Sequence, residues 1–520
     1  MPFTSTMRDV PAARRRGWRR IALLTFAALW VGTAFWQTNK PLRPGLHIDS
    51  AWYPVAPRDV MFIADVTSAD AYGRPIVSQA IFDEVLNVVH SARRFIVLDY
   101  FLFGAPAGAA AQAQPDPPPG VLPRPLSAEL RGALIEQRRA HPELQVLFIT
   151  DPISELYGDR PSADLLRLRA AGVDVTVTDL KRLRDPNFIY SSLWRLGIGW
   201  WSGTGSAGSA PRRGWLPNPI LESDAPVSLR AWTRLLNFKA NHRNVILADD
   251  GRDGLVAIVG SASPHDPSAA QSNAALKITG PAMLPLLRSE LAVAQFSGWR
   301  GSLQPIAALA GASSTGPATT TGPRAKVLTE GAIRSALIER LEACARGDSI
   351  DIATFYIADR GIVEALLAAS RRGVTVRLIL DPNKDAFGHA RGGIPNQPVA
   401  SELVAASDGA IHVRWYRTHG EQFHTKLAMV YGAQRLWLTV GSANLTRRAL
   451  LDYDLEANVA VDLERTAPLA MQVLDYFDTL WSNRAPLGIE YTADFGFYSD
   501  PSQLHYWLYR FLEATGASLF

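Results

Sequence analysis

Cysteine is almost missing from this chain, since Cys344 is the single one among 520 residues. One thiol cannot form an internal disulfide, and it excludes every metal site built from a cluster of cysteines. No acidic cage for a metal accompanies the polar motifs described below either. We therefore predict a site that uses no metal and no cofactor.

A charge excess is also missing from most of the chain. The net charge is +4, but residues 1–20 hold six arginines against one aspartate, so the remainder is close to neutral. The sequence pI of 9.1 thus reflects the N-terminus. Grooves that bind nucleic acid carry clustered Lys and Arg, and the composition of the body argues against such a partner.

A single long apolar run is present, from Ile21 to Trp36, directly after the arginine cluster. Its 16 residues span about 24 Å as a helix, near the short end for a membrane span. No small-x-small cleavage site follows, so we predict an uncleaved anchor and not a signal peptide. The arginines keep the N-terminus in the cytoplasm. The Ala/Arg-rich composition indicates a bacterium, which predicts a single-pass inner-membrane protein whose body faces the periplasm.

The rest of the chain reads as two similar halves. Each half has a buried strand, a helical stretch, a strand ending in Asp-Pro, a further strand, a hairpin and a last strand before a helix ending in Trp. The corresponding strand pairs begin with 94–104 and 349–359, and the Asp-Pro strands are 144–152 and 374–382. This alternation predicts an α/β fold of two tandem repeats, each a mixed β-sheet flanked by helices. Asp151 and Asp381 end matched strands, where they either support a site or simply form turns.

The predicted domain organisation follows from this duplication. Residues 1–40 form the basic tip and transmembrane anchor, 41–300 the first repeat, 301–326 a Gly/Pro-rich linker, 327–487 the second repeat and 488–520 an aromatic tail. Two insertions interrupt the first repeat: an Ala/Pro-rich loop at 104–120, and a Trp-rich segment at 182–230. The latter suits a membrane interface, an acyl-chain groove or simple packing onto the core.

The second half carries the fuller chemical motif. His424 and Lys426 are two apart on a predicted strand, so their side chains share a face. Ser442 and Asn444 follow the next strand, and Glu456 precedes the last. Lys and Asn can hold the non-bridging oxygens of a phosphodiester, a His can attack phosphorus or protonate the leaving oxygen, and a carboxylate can orient the imidazole.

This His-x-Lys with a downstream Gly-Ser-x-Asn, present twice, resembles the phospholipase D superfamily, especially its bacterial cardiolipin-synthase-like members. The resemblance covers nearly all of residues 50–490. It implies that the two repeats pack face to face and that each contributes one histidine to a shared site. It also implies that one histidine becomes a phosphohistidine, while the other acts as general acid and then as base.

The first half matches the family motif incompletely. His242 and Asp249 fit the pattern, and Ser261 belongs to its Gly-Ser. Asn244 replaces the Lys, and Asn273 stands where Glu456 stands in the second half. Asn244 can still donate hydrogen bonds to a phosphate oxygen but brings no charge.

Two further departures complete the comparison with the family. Ser263 replaces the Asn of the first Gly-Ser-x-Asn, and Tyr431 occupies the position of the second motif's Asp. The spacing between the His-x-Lys and Gly-Ser-x-Asn motifs is also a few residues longer than usual.

From these residues we predict a membrane-anchored phosphodiesterase or phosphatidyltransferase that acts on phospholipid headgroups. His242, His424 and Lys426 are the predicted catalytic residues, with the nucleophile left open between the two histidines. The predicted phosphate-binding residues are Asn244, Ser261, Ser442 and Asn444, supported by Asp249, Glu456 and Asn273. The acceptor is water, another alcohol or phosphatidylglycerol. Two alternatives remain: a periplasmic nuclease of the same superfamily, and a degenerate member that binds lipid without catalysis.

Overall fold

The computed structural model describes residues 12–70, 72–104, 124–201, 214–217, 226–252, 254–303, 322–386, 389–390, 392–484, 489–518 and 520. The predicted loop at 104–120 therefore lies outside the described residues beyond Gly104. Most of the predicted linker and part of the Trp-rich insertion also lie outside them.

An eight-stranded sheet is built entirely from the first half of the chain, in the order β3-β2-β9-β8-β7-β4-β5-β6. Its β4-β5-β6 strands are parallel and its other neighbours antiparallel. The strands are β2 (Val60–Ala69), β3 (Pro75–Ser78), β4 (Phe95–Tyr100), β5 (Gln145–Thr150), β6 (Asp174–Val177), β7 (Asn244–Asp249), β8 (Leu255–Gly260) and β9 (Asn273–Thr279).

A nine-stranded sheet follows the same plan in the second half, in the order β1-β10-β18-β17-β16-β11-β12-β15-β19. The short β1 comes from the first half and pairs with β10. Its strands are β1 (Tyr53–Pro54), β10 (Arg324–Thr329), β11 (Ser349–Thr354), β12 (Thr375–Leu380), β15 (Ile411–Tyr416), β16 (Lys426–Tyr431), β17 (Arg435–Gly441), β18 (Ala457–Glu464) and β19 (Thr492–Asp494). A separate two-stranded ribbon joins β13 (Asp385–Ala386) and β14 (His389–Ala390).

The two sheets repeat one topology strand for strand. The series β2-β9-β8-β7-β4-β5-β6 corresponds to β10-β18-β17-β16-β11-β12-β15, with the same parallel and antiparallel pairings. This confirms the predicted α/β fold of two tandem repeats. The domain boundaries themselves stay a prediction.

The sheets pack face to face, because one hydrophobic core contains fully buried residues from both. Val97 and Val245 of the first sheet lie in the same cluster as Leu427 and Leu438 of the second. Each sheet buries its other face under its own helices, in two further clusters. Both faces are thus dry, which explains the nearly continuous apolar runs of the central strands.

Helices cover the outer faces of the sheets. The α-helices after the N-terminal one are Ile81–Ser91, Leu126–Ala140, Ala163–Ala170, Phe188–Leu193, Gly199–Trp201, Leu229–Leu235, Leu284–Phe296, Gly331–Ala343, Arg360–Arg371, Asn396–Ala406, Arg447–Leu450, Pro468–Trp481 and Gln503–Thr515.

The N-terminal helix, Ala12–Asn39, contains a stretch from Gly17 to Asn39 that is long and apolar enough to cross a membrane. It exceeds the predicted run because flanking residues continue the helix. Its side chains are largely exposed, and its contacts to the body involve the Trp-rich insertion. The indole of Trp30 donates to the carbonyl of Ile189 (3.1 Å).

The C-terminal helix, Gln503–Thr515, docks on the second repeat by one face. Tyr509 is buried there, where its hydroxyl donates to Glu402 (2.8 Å) and accepts from Arg360 (2.8 Å). The opposite face exposes Trp507 and Phe511. Only some of the aromatic side chains of the tail therefore pack on the body, and the others face outwards.

Candidate active site

Each predicted histidine precedes the strand that carries the rest of its motif, β7 or β16. The segment just before each histidine is held by the aspartate of an Asp-Pro turn. Asp151 accepts the backbone N–H of Asn241 (2.7 Å), and Asp381 accepts that of Phe423 (2.8 Å). Burial raises the pKa of both carboxyls to about 7. The matched aspartates therefore position the two histidine segments, a role that the sequence left open between support and a simple turn.

The histidine segments also reach across to the opposite repeat. The backbone N–H of Leu455 donates to the carbonyl of Ala240 (3.0 Å), and that of Ser272 donates to the carbonyl of Gln422 (3.2 Å). These two bridges occupy equivalent places in the two repeats. They bring both histidines to the interface between the repeats.

The imidazole of His242 lies against a carboxylate from the second repeat. Its Nδ1 is 3.0 Å from Oε1 of Glu456, which is almost fully buried. The hydroxyl of Ser442 donates to the same carboxylate, and the ring of Phe101 packs on the imidazole with centroids 4.7 Å apart. An adjacent carboxylate stabilises an imidazolium and holds the ring so that Nε2 is free.

His424 has the corresponding position but a neutral partner. Its Nδ1 lies 3.0 Å from the carbonyl of Ser261 and 3.2 Å from Oδ1 of Asn273, which also accepts the Ser261 hydroxyl (2.9 Å). Burial, together with the charge of Lys426 and of His242, holds the pKa of His424 well below its ordinary value. This imidazole is therefore neutral at physiological pH.

The two imidazole rings have centroids 6.4 Å apart at an interplanar angle of 67°. Both Nδ1 atoms contact acceptors, so each Nδ1 carries a proton and each Nε2 is left for chemistry. At this separation both rings can reach one phosphodiester group. The pair can supply one nucleophilic nitrogen and one proton donor.

Lys426 is the cationic residue of the second repeat's His-x-Lys motif. Its ammonium donates to the carbonyl of His424 (2.9 Å) and lies 5.5 Å from the ring centroid of Phe355. Burial lowers its pKa to about 7, although the nearby carboxylates of Glu456 and Asp381 oppose the shift. A phosphate anion placed beside it favours the charged form.

The two Gly-Ser motifs differ in what their polar groups contact. In the first repeat, the hydroxyl of Ser263 donates to Oδ1 of Asn244 (2.6 Å), whose amide donates weakly to Ser261 (3.4 Å). In the second, Oδ1 of the buried Asn444 has no hydrogen-bond partner among the described residues. Buried side-chain amides rarely lack a hydrogen-bond partner. Asn444 of the second repeat therefore has an acceptor that remains available to a ligand, whereas the side chain of Asn244 in the first repeat is already hydrogen-bonded.

Asp249 and Tyr431 lie at the far ends of their strands from the histidines. Asp249 accepts the backbone N–H groups of residues 93–95 and so fixes the start of β4. The hydroxyl of Tyr431 donates to Asp351 (2.8 Å), which also pairs with Arg377. The structure therefore does not bring these two motif positions to the histidine pair.

A buried ion network behind His242 was not predicted. Arg243 is completely buried and bridges Glu290 (3.0 Å) and Glu330 (2.6 Å). Glu330 also accepts the backbone N–H of Glu456 (3.3 Å), so the network supports the carboxylate that contacts His242. Arg243 directly precedes β7, and its partners come from a helix and a turn that no local pattern connects to it.

The phenyl rings of Phe101 and Phe355 were also missed as site residues. Each ring packs on a histidine, and each residue directly follows one of the matched strands β4 and β11. Because a phenylalanine follows the matched strand in both repeats, a comparison of the two repeats could have identified them. Among the described residues, no group of three or more His, Cys, Asp and Glu side chains is arranged to hold a metal ion.

Comparison with known proteins shows the fold of the chain and a family likeness in its second repeat. The chain is similar to the crystal structure of phosphatidylserine synthase from Haemophilus influenzae Rd KW20, with 12% identity and a TM-score of 0.51; the match covers 93% of this chain and 97% of that one. At this identity the likeness establishes the phospholipase D-like fold alone. Nuc, a phospholipase D family member from Salmonella typhimurium, matches 33% of this chain and 97% of its own at 22% identity, with a TM-score of 0.25.

Residues 337–481 match the family described as "Cardiolipin synthase, PLD-like domain". The predicted resemblance to the phospholipase D superfamily is therefore confirmed. No curated protein matches the sequence.

Proposed function

We propose that this protein is a membrane-anchored phosphodiesterase or phosphatidyltransferase that acts on phospholipid headgroups through a phosphohistidine. The observation that carries the proposal is the histidine pair, with one imidazole from each repeat and each Nδ1 held by a partner from the other repeat. A double displacement at phosphorus needs a nucleophile and a proton donor that face the same group, and this arrangement supplies both.

The surroundings of the two histidines favour one assignment of roles. His424 is neutral, so its Nε2 lone pair attacks phosphorus. His242 lies beside the carboxylate of Glu456, which stabilises the imidazolium, so His242 donates a proton to the leaving headgroup oxygen. His242 then takes a proton from the acceptor hydroxyl, whose oxygen displaces His424 from phosphorus. The acceptor is water or another alcohol, phosphatidylglycerol included.

Lys426 and Asn444 hold the non-bridging oxygens in this scheme. The ammonium of Lys426 is buried beside the carbonyl of His424, and the side-chain N–H₂ of Asn444 can donate to a phosphate oxygen. The unpartnered Oδ1 of Asn444 can only accept, and it is left for a hydroxyl of the substrate. Ser261 and Ser442 instead orient Asn273 and Glu456, because their hydroxyls donate to those side chains. Asn244 contributes less to phosphate binding than its position suggests, because its side chain is already hydrogen-bonded to Ser263 and to the carbonyl of Ser261.

The membrane is the proposed location of the substrate. The helix stretch Gly17–Asn39 is about 35 Å long, which matches the thickness of a bilayer's hydrocarbon core. The N-terminal arginines favour an orientation with the body in the periplasm of a bacterial inner membrane. An anchor of this kind holds the histidine site beside phospholipids and favours them over soluble substrates.

Lipid turnover tests this function directly. Full-length protein in detergent is mixed with phosphatidylglycerol and phosphatidylethanolamine vesicles, and the products are identified by mass spectrometry. Phosphatidic acid or cardiolipin is expected from the unmodified protein and from His412→Ala, an exposed histidine on β15, but not from His424→Ala. Phosphatidic acid identifies water as acceptor, whereas cardiolipin identifies phosphatidylglycerol.

A second candidate is a lipid-binding protein without turnover. The closed contact between Asn244 and Ser263 favours it, because the first repeat then offers no cation to the phosphate. Asn244→Lys distinguishes the two: restored charge raises an existing activity by roughly 10- to 100-fold, as one charge-assisted contact is worth about 1.5–3 kcal/mol. Vesicle binding with no product from either protein supports the second candidate.

A further inference from the structure

A cavity of about 750 Å³ lies in the first repeat. Its walls are the turn Pro152–Gly158, the strand β6 with the residues that follow it, and the end of the helix Leu284–Phe296. Neither His242 nor His424 lines it. Its volume is in the range of pockets that bind small ligands.

Basic side chains outnumber acidic ones in the lining. The five basic residues are Arg169, Lys181, Arg234, Lys239 and Arg300. Against them stand three carboxylates, and Lys239 is itself paired with Asp185 behind the lining (2.6 Å). This local excess contrasts with the nearly neutral charge of the body.

Each of the three carboxylates has a hydrogen-bond or ion-pair partner. Glu155 is 3.4 Å from Arg169, and Asp174 accepts the indole N–H of Trp299 (3.1 Å). Asp179 accepts the backbone N–H of Lys181 (3.2 Å) and pairs with an arginine outside the cavity.

The basic side chains are close enough to repel one another. Burial and the nearby charge of Arg234 lower the pKa of Lys181, and burial together with Arg230 lowers the pKa of Arg234 to about 10. An anion in the cavity relieves this repulsion. Trp194, which also lines the cavity, has an indole N–H without a hydrogen-bond partner among the described residues.

The N-terminal helix is bound to the wall of this cavity. The ammonium of Lys40, at the end of the helix, donates to the carbonyl of Lys181 (3.1 Å). The backbone N–H of Asp185 donates to the carbonyl of Gln37 (3.1 Å). If the stretch Gly17–Asn39 lies in the bilayer, the cavity lies at the level of the lipid headgroups. The partly exposed ring of Trp299 then lies near the boundary between headgroups and acyl chains, where indoles concentrate, whereas Trp194 is buried.

We propose that this cavity is a second lipid site, which binds the phosphate of an anionic phospholipid separately from the histidine pair. The phosphate lies among Lys181, Arg234 and Arg300, and the glycerol backbone lies against the tryptophans. The site does not depend on the proposed activity, but the choice of a lipid as occupant rests on the proposed membrane anchor.

Photolabelling in nanodiscs tests this site. Full-length protein is reconstituted in phosphatidylcholine nanodiscs with a trace of phosphatidylglycerol that carries a diazirine in its headgroup. Labelled peptides are mapped by mass spectrometry, and co-elution with nanodiscs reports anchoring independently. The competitors are unlabelled phosphatidylglycerol, phosphatidylcholine of the same chain length, and glycerol 3-phosphate.

The double variant Lys181→Gln/Arg300→Gln removes two exposed basic side chains at the rim without touching the core. Arg58→Gln, whose side chain is 90% exposed and remote from the cavity lining, is the matched control. Label is expected in residues 174–181 or 297–300, with competition by phosphatidylglycerol alone. The double variant is expected to lower this labelling at least about tenfold, while Arg58→Gln and His424→Ala leave it unchanged.

Three results overturn the proposal. They are labelling of neither segment in protein that co-elutes with nanodiscs, equal competition by phosphatidylcholine, and equal labelling of the double variant and the unmodified protein. Competition by glycerol 3-phosphate as strong as that by phosphatidylglycerol assigns the cavity to a soluble phosphate ester and overturns the lipid as occupant. Failure to co-elute contradicts the anchor, and with it the argument for a lipid.

Discussion

The carboxylate of Glu456 allows a quantitative prediction, because its contact with His242 is buried and short. Oε1 lies 3.0 Å from Nδ1, and the glutamate is 1% exposed. Glu456→Gln keeps the volume and an acceptor for Ser442 but removes the charge that stabilises the imidazolium. A hydrogen bond to a charged group contributes about 1.5–3 kcal/mol, so kcat should fall roughly 10- to 150-fold.

The split between kinetic constants identifies the cause of this loss. The contact is strongest once His242 carries its second proton, so the substitution should lower kcat and leave KM nearly unchanged. Phospholipid turnover is measured as a function of substrate concentration in mixed micelles. Glu464→Gln makes the same change at an exposed position of the same strand, β18, and should behave as the unmodified protein.

The result that refutes this reasoning is a well-folded Glu456→Gln protein with kcat within about threefold of the unmodified enzyme. A rise in KM at constant kcat also contradicts it, since that pattern assigns Glu456 to ground-state binding. Thermal unfolding monitored for both variants separates these outcomes from a general loss of structure.

Three further substitutions test neighbouring parts of the account. Asn273→Asp places a carboxylate 3.2 Å from the imidazole of His424 and raises its pKa, so the neutral nucleophile is lost as pH falls through the new value. The acid limb of kcat/KM should move up by about 1–3 pH units, and an unmoved limb contradicts the assignment of His424. The pKa of Lys426 is about 7, so its charge and kcat/KM should decline as pH rises through 7. Lys426→Arg keeps the charge and should remove this decline up to pH ~9, whereas an unchanged profile excludes Lys426 as its source. Arg243→Met leaves two buried glutamates unpaired and should lower the free energy of unfolding by about 3–5 kcal/mol in urea titrations. A loss below 1 kcal/mol contradicts the network, by the same reasoning.

The repeats could be predicted from the sequence because their signals are local. Apolar strands such as 94–104, the Asp-Pro turns and the two hairpins recur in one order, and each is short enough to recognise by itself. The correspondence of the sheets follows from that order. The pattern placed His424 on the same strand as Lys426, whereas the strands of the structure begin two residues after each histidine, at Asn244 and Lys426.

The contacts across the repeats could not be predicted in this way. Glu456 meets His242 and Asn273 meets His424 because the sheets pack face to face, which places residues far apart in sequence side by side. The sequence paired Glu456 with its own repeat's motif by spacing alone. Spacing along the chain picks out the polar motif residues, but it does not show that a carboxylate faces one histidine and an amide faces the other.

The buried ion network and the cavity could not be predicted from the sequence either, because the fold brings together residues that are far apart in the chain. Arg243 directly precedes β7, and nothing near it in sequence indicates Glu290 or Glu330. The cavity is lined by separate segments between residue 152 and residue 300, which only the fold brings together. The N-terminal helix, in contrast, contains a single continuous apolar run and was predictable from composition.

The measurement that tests the central claim uses a substrate whose leaving group needs no proton. Phosphatidyl-p-nitrophenol is mixed with the His242→Ala and His424→Ala proteins, nitrophenolate release is followed by stopped flow, and quenched protein is mapped for a phosphatidyl adduct. The account predicts a burst from His242→Ala with the adduct on His424, and no burst from His424→Ala. A burst from His424→Ala with the adduct on His242 reverses the assigned roles. Turnover by the unmodified protein with no adduct on either histidine contradicts the phosphohistidine itself.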